Sequence, residues 1–580
     1  MEGGIIMILD LQQQEAVTTT SPRALVLSGA GSGKTRVLIE RIAWLIETQK
    51  ISSSELLAFS FTRKASGEIQ DRLKERIGRK AHGVQIGTMH GLALEFIHRF
   101  GEAIGLRPAI VTVYGEWEAG YLLADVAQEM SAKKTTIRAA KEALERYYQT
   151  GEEPSEDDMG HDLFKVFLAR CRENNAVSYG SLLVGMRLLV PTLAKYLHIR
   201  HILVDEIQDI DPLQWAIINE MVSSFKANLF VVGDIDQSIY EFRGAVPRYL
   251  VDHSGEFDIY RLEANYRSMP EIVCAANRLI EHNQDRITKT MRATREAPDL
   301  SPESVQVENN TQSEGIVAMA NMRHCKEASV AILARKHSIL SKIDRLMEEA
   351  GIPHTYIGKT TTLTNSEPFR RFHAFLKLAV NSFDNFSFLL IRDIIGLSRE
   401  EYGRIRLEAA DKGKSHFQVF EGNTDFLSFQ SVSGSSLSQC AEHVNANCPD
   451  LSPESLAFIQ KWVGEHSDDI ASYLDWLATF DVQDEIKGDE SEGITLATIH
   501  AAKGLEWPVV IIAGCNEGII PARPNDLDEI EGERRLMYVA MTRAMDQLML
   551  TVRPTESTDA AGRTHKSPES RFLIEMKGDR

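Results

Sequence analysis

Cysteine is scarce and unclustered in this chain: Cys171, Cys274, Cys325, Cys440, Cys448 and Cys515 include no CxxC pair. A zinc ribbon, an iron–sulfur cluster and a disulfide framework therefore lack the spacing they need, and a reducing compartment is the natural setting. No apolar run approaches the ~18 residues of a membrane span. Residues 1–10 carry acid and glycine where a signal peptide needs a basic region. The expectation is a soluble cytoplasmic protein with no membrane partner. Basic residues are outnumbered, 64 Lys and Arg against 83 Asp and Glu, for a net charge of −19. That argues only mildly against nucleic acid, because phosphate binding depends on where basic groups sit and not on their sum. Much of the acid lies in residues 152–158, 481–492 and 526–533. Such runs read as solvated faces or linkers and leave room for a neutral or basic cleft.

What is present is a chain of 580 residues, 43% hydrophobic, long enough for about four domains. Short apolar runs at 24–29, 56–61, 84–88, 201–205 and 229–234 end in Gly, Ser, Thr or Asp or just beyond. They are continuous rather than alternating, as in strands covered on both faces, so they predict a parallel sheet. Leu38, Ile42 and Leu45 recur at helical spacing between the first two runs, giving a doubly wound α/β arrangement. A second set at 330–335, 354–358, 494–500, 509–514 and 547–552 predicts a second sheet of the same kind. Mostly helical stretches interrupt both. The expected division is 1–91 with 178–262 as one core domain and 92–177 as its insertion. The other core is 263–391 with 485–580, and 392–484 is its smaller insertion. A Ser- and Gln-rich piece, 428–439, reads as a loop.

Residues 28–35 read SGAGSGKT between a strand and a helix, the context of a phosphate-binding loop. Gly29, Ala30, Gly31, Ser32 and Gly33 bring backbone N–H groups close to phosphate, and the helix N-terminus adds favourable dipole charge. Lys34 would reach the β and γ phosphates of ATP and Thr35 would hold Mg²⁺. Residues 201–209, HILVDEIQD, form a strand that ends in two acids. Side-by-side carboxylates suit metal holding by Asp205 and water activation by Glu206. A third strand delivers Gly233, Asp234 and Gln237, whose amide is placed to sense the γ-phosphate. Ligands bind at such strand ends in open α/β sheets.

The segments LDLQQQEAV (9–17), FSFTRKA (59–65), GTMHG (87–91), VDEIQD (204–209), GDIDQSIYEFRGA (233–245), LEANYRS (262–268), TIHAAKGLEW (498–507) and ERRLMYVAMTRA (533–544) follow one another in order. With the phosphate loop, this series resembles the motifs of the UvrD/Rep/PcrA-type superfamily 1 DNA helicases. The resemblance implies two RecA-like P-loop NTPase core domains and an ATP-dependent 3′-to-5′ DNA translocase and helicase, acting on single-stranded and 3′-tailed duplex DNA in repair or replication. It implies that Gln13 reads adenine, that the base lies between Arg36 and Tyr266, and that Glu506 is near the ribose. Arg267 and Arg543 correspond to the family's arginine fingers. Phe61, Tyr240, Phe242 and Arg243 correspond to flat groups on which bases stack, at ~1 to 3 kcal/mol each. Thr88, His90, Thr498 and His500 correspond to backbone-contacting positions.

The chain departs from the family pattern in four places. Ser28 stands where the general loop has Gly, and Phe242 stands where the family has Trp. The second insertion is short, and residues 559–562, at the place of a strand-separating hairpin tip, contain no aromatic. Three rival readings follow. One is the motor of a helicase–nuclease whose nuclease is a partner chain, and another is a DNA-responsive ATPase switch of a phage-defence or mobile-element complex that signals without unwinding. The third is a metabolic P-loop kinase, which has no use for a second sheet or stacking aromatics.

Overall fold

Strand Arg23–Ser28 (β1), RALVLS, is buried from its second residue onward, which is what a continuous apolar run requires when helices cover both faces of a sheet. In the computed structural model it belongs to a six-stranded sheet with β2 (Leu56–Ser60) and β3 (Gln85–Thr88). Then β4 (Thr112–Tyr114) and β5 (Ala176–Ser178) pair with each other outside the sheet, and β6 (His201–Val204), β7 (Asn228–Gly233) and β8 (Asp258–Leu262) complete it. The order is β3-β2-β6-β7-β1-β8, and every ladder is parallel. The structure describes residues 9–107, 111–241, 247–296, 304–324, 329–357, 364, 366–420, 436–448, 453–478, 493–524, 526–554, 556–558, 564–566 and 568–577.

After the short parallel pair β9 (Ala264–Asn265) and β10 (Arg292–Ala293) comes a second six-stranded sheet. It contains β11 (Val305–Glu308), β12 (Val330–Ala334), β13 (His354–Tyr356), β14 (Ile494–Thr498), β15 (Trp507–Ala513) and β16 (Ala544–Thr551). Its order is β11-β16-β15-β12-β14-β13, again all parallel. Two parallel sheets were expected, with five strands each. The sixth strands, β8 and β11, lie at sheet edges and are only partly buried, so they carry no continuous apolar run to betray them. A final antiparallel hairpin joins β17 (Glu556–Thr558) to β18 (Thr564–Lys566). It stands at the expected place, while its tip, 559–562, lies outside the described residues, as do 428–435 and 481–492. Residues 436–439 belong to the capped start of helix Leu437–Asn447 rather than to a loop. Among the described residues no helix is long and apolar enough to cross a membrane.

The largest departure from expectation concerns the helices Glu367–Val380 and Asn385–Ile391, assigned from sequence to the second core. Their Phe372, Phe375, Phe386 and Phe388 share one apolar cluster with Tyr114, Leu122 and Phe164 of the first insertion, and none of these four joins the two clusters that cover the second sheet. Polar groups knit the same contact. Tyr114 Oη donates to Asp384 Oδ1 at 2.5 Å, and Asn381 Nδ2 donates to Thr112 Oγ1 at 2.9 Å. Lys377 Nζ and Arg370 Nη1 reach Glu118 Oε1 at 2.8 and 3.1 Å. Helical periodicity revealed these elements, but periodicity does not say which neighbour an apolar face meets.

Burial pushes the Glu118 carboxyl up, yet Lys377 and Arg370 outweigh it and hold it at about 2. A carboxylate held low in the fold contributes stability that is complete above its unfolded value and is lost as pH falls towards about 2. Glu118→Gln leaves buried Lys377 and partly buried Arg370 without a counter-charge, and we expect it to lower the unfolding free energy by ~3 to 5 kcal/mol in urea titrations at neutral pH.

Candidate active site

Because β1 lies between β7 and β8, and β7 between β6 and β1, the carboxyl ends of β6, β7 and β1 are neighbours. The segments that follow them, 29–35, 205–209 and 234–237, meet at one sheet edge. The phosphate loop turns through Gly31 (φ 66°) and Gly33 (φ 81°), left-handed angles that favour glycine, and helix Lys34–Glu47 follows directly. A Cβ at Gly31 would stand 2.6 Å from Arg267 Cβ, so only glycine lets the two segments approach. Buried Ser32 Oγ has no hydrogen-bond partner among the described residues.

Lys34 Nζ donates to both oxygens of Glu206, at 2.9 and 3.0 Å. Burial opposes the charge on Lys34, but Glu206, Asp234 and Asp205 outweigh it and raise its pKa. Burial likewise opposes ionisation of Glu206, and Lys34 with Lys503 holds it below the usual carboxylate range. Asp205 moves the other way, raised by burial and by the charge of Glu206. Two adjacent carboxylates are thus driven apart, one firmly an anion and the other short of a cation. Glu206 also sits at φ 53°, a strained backbone for a residue with a side chain and one that clusters at functional sites.

Gln13 is buried, with Nε2 donating to Ser32 O at 3.0 Å. Tyr266 remains 46% exposed and donates its hydroxyl to Asp10 Oδ2 at 2.6 Å. Its N–H donates to Gly31 O at 2.9 Å, so the residue proposed for base stacking is anchored to the loop itself. Thr35 and Arg36 open the helix, both partly exposed beside that loop.

The second core reaches this edge from the other side. Buried Arg543 donates from Nη2 to Gln237 Oε1 at 3.0 Å. Burial and the neighbouring Arg267 bring its pKa down to about 9. Arg267 pairs with Glu506 Oε2 at 2.5 Å and donates to Thr542 O at 3.2 Å. Glu506, expected near the ribose, is therefore held by an arginine.

Three functional candidates escaped the sequence reading. Lys503 donates to Gln237 O at 2.7 Å and pairs with Asp209. Gln208 accepts from Asp234 N at 2.9 Å and donates to Glu206 Oε2 at 2.5 Å. Asn265 donates to Ala30 O at 2.7 Å and accepts from Arg267 N at 3.0 Å. All three lie inside quoted motifs, the only signal available, but nothing in their residue type reveals a partner. A Cβ at Gly233 would fall 2.4 Å from Gln208 Oε1 and 2.6 Å from Ile207 Cγ2. Gly233→Ala should displace Gln208 and leave Asp234 N unpaired, a loss of ~1 to 3 kcal/mol. The expected result is kcat lowered about 10- to 100-fold with native circular dichroism.

A cavity of about 700 Å³ lies beside this edge, lined by Phe61, Thr88 and His90 on one wall and by Leu474 and Leu477 on another. Phe61 stacks on Tyr240 with centroids 4.9 Å apart, and His90 on Tyr179 at 4.5 Å. Tyr240 is only 4% exposed, and Lys503 Nζ lies 5.0 Å from its ring centre. It sits beneath Phe61 and does not offer an open face to a base. Its hydroxyl donates to His500 O at 3.3 Å across the cleft. The hydroxyls of Thr88 and Thr498 accept from Gly91 N and Ala501 N, at 3.0 and 3.3 Å, so both serve local turns. Phe242 and Arg243 lie outside the described residues.

Residues 9–258 match the UvrD/REP helicase N-terminal domain, and residues 260–414 with 465–554 match the UvrD-like helicase C-terminal domain. The chain is 28% identical to the ATP-dependent DNA helicase PcrA of Bacillus subtilis (strain 168), across 98% of this chain and 85% of that protein. It is 28% identical to the ATP-dependent DNA helicase Rep of Escherichia coli (strain K12), across 99% of this chain and 94% of that one. Two parallel sheets, a phosphate loop on the first and arginines from the second meeting at one edge, together with matches spanning both halves, make this chain a member of the UvrD/REP helicase family.

Proposed function

We propose that this protein hydrolyses ATP between its two sheets to move 3′-to-5′ along single-stranded DNA and to unwind 3′-tailed duplexes. The observation that carries the reading is the bond from Arg543 to Gln237, which ties the second core to the segment following β7 at the same edge as Lys34 and Glu206. In this reading Lys34 leaves Glu206 for the β and γ phosphates, and the freed carboxylate takes a proton from the attacking water. Gln237 meets the γ-phosphate, and Arg267 with Arg543 stabilises the charge that develops on it. Adenine lies against Tyr266 and Arg36. Closure on ATP and release after hydrolysis would then alternate the spacing of the two cores. The polarity rests on family membership.

The residues fit Mg²⁺. Buried Asp205 is raised in pKa and gains from a cation, Thr35 follows Lys34 at the start of the helix after the loop, and Ser32 Oγ is an orphaned polar atom. Mg²⁺, when bound, neutralises phosphate charge and orients the leaving group. The core and insertion boundaries are part of the same proposal, with the second insertion beginning at Glu367.

One observation favours a second reading, an ATPase that answers DNA within a larger complex and unwinds little alone. Arg63 donates to Asp475 O and Trp476 O at 3.0 and 2.8 Å, so helix Ile470–Ala478 walls the cavity against Phe61. Steady-state ATP hydrolysis without nucleic acid, with single-stranded DNA and with RNA, followed by unwinding of 3′- and 5′-tailed duplexes, tests both. DNA stimulation with unwinding only from a 3′ tail is expected. Stimulation without unwinding supports the second reading, and no stimulation overturns both.

A further inference from the structure

Lys289 lies outside every motif quoted above, between helix Pro270–Ile280 and β10, and its side chain is 3% exposed. Its ammonium contacts Asp234 Oδ1 and stands 2.5 Å from Asp236 Oδ2. Arg286 Nη2 reaches Asp236 Oδ2 at 2.8 Å, and none of its contacts is with Asp234. The other oxygen of Asp234 accepts from Gln237 Nε2 at 2.6 Å, and Gln237 Oε1 accepts from Arg543 at 3.0 Å. A carboxylate can only accept and a guanidinium can only donate, so this pair of neighbours permits one orientation of the Gln237 amide. Turning the amide over would set donor against donor and acceptor against acceptor.

We propose that Lys289 is a positioning residue for ATP hydrolysis: by pairing with one oxygen of Asp234 it holds that carboxylate in place, which orients Gln237 and holds Arg543 at the cleft. This rests on the roles given above to Gln237 and Arg543. Without Lys289, Asp234, nearly inaccessible, has no cation in contact among the described residues, because Arg286 reaches Asp236 and not Asp234. Asp234 Oδ1 then keeps the backbone N–H of Asp236 at 3.1 Å but no cation, so the carboxylate is free to turn and the Gln237 amide loses its single orientation. Burial works against the charge on Lys289, but Asp234 and Asp236 outweigh it and raise its pKa, so the ammonium persists at neutral pH.

The test compares two buried cations of one cluster in the full chain, by steady-state ATP turnover with saturating single-stranded DNA. Lys289→Met should lower kcat by about 10²-fold, the scale of misplaced catalytic groups, with KM for ATP unchanged. Arg286→Met should leave kcat as in the wild type, and Lys289→Arg should restore most of it. If Lys289→Met does not fold, Lys289→Met/Asp236→Asn balances the buried charge and should show the same loss of kcat. Equal losses in the Lys289 and Arg286 variants, or wild-type kcat in the folded double variant, overturn the proposal. Lys34→Ala, run alongside, separates the two failures. If it is inactive while Lys289→Met turns over normally, only the positioning role falls. If it turns over normally, the reading of the site falls.

Discussion

Lys34→Ala should abolish ATP turnover, and Glu206→Gln should abolish it while leaving ATP binding intact. The two residues hold each other at 2.9 Å, yet their losses differ in kind. Lys34 is a partly buried cation of the loop itself, and its removal takes the positive charge from the place where phosphates would lie. Binding and chemistry should both fail. Glu206→Gln removes an anion from the same place, so Lys34 stays charged and is no longer held by a carboxylate. An amide cannot take a proton from water, and loss of a general base costs ~10² to 10⁴ in rate. Fluorescent-nucleotide titration with single-turnover hydrolysis distinguishes the cases. Wild-type-like turnover of Glu206→Gln would move the base elsewhere, with buried Asp209, which shares the Gln208 amide with Glu206, the next carboxylate to examine.

Arg267→Ala and Arg543→Ala should each cut turnover by about a thousandfold or more, or at least 4 kcal/mol of barrier, with normal folding. Their surroundings separate them further. Arg267 is held by Glu506 and by the carbonyl of Thr542, so Arg267→Ala also frees the Glu506 carboxylate and should weaken nucleotide binding. Arg543 is fully inside, bonded to Gln237 and to Val539 O at 3.1 Å. Arg543→Ala should therefore spare KM for ATP and act on kcat. Arg→Lys should rescue neither, because the planar fork serves two acceptors at once. Stopped-flow hydrolysis beside thermal melts checks both, and unimpaired kcat in either variant would remove that arginine from the reaction.

The strands around the site were legible because burial on both faces leaves no polar position to confuse the pattern. The loop was legible because backbone approach to phosphate needs Gly31 and Gly33 at left-handed angles. Gln208, Asn265 and Lys503 stand in the sequence as letters within motifs, without their partners. Tyr240 shows the limit from the other side: an aromatic in a nucleic-acid motif, it proved to be packed beneath Phe61. The helix Glu367–Val380 was legible as a helix and misplaced as a neighbour.

By itself, then, the sequence determined the two parallel sheets, the phosphate loop, the paired acids after β6 and the order of the motifs, since each follows from a local pattern of burial, glycine or charge. Only the tertiary structure decided that Lys289 meets Asp234, that Glu118 meets Lys377, and that Arg543 meets Gln237. Those pairs lie 55, 259 and 306 residues apart. Contacts at such separations depend on the direction in which packed elements are turned, and neither hydrophobic periodicity nor residue type encodes that direction.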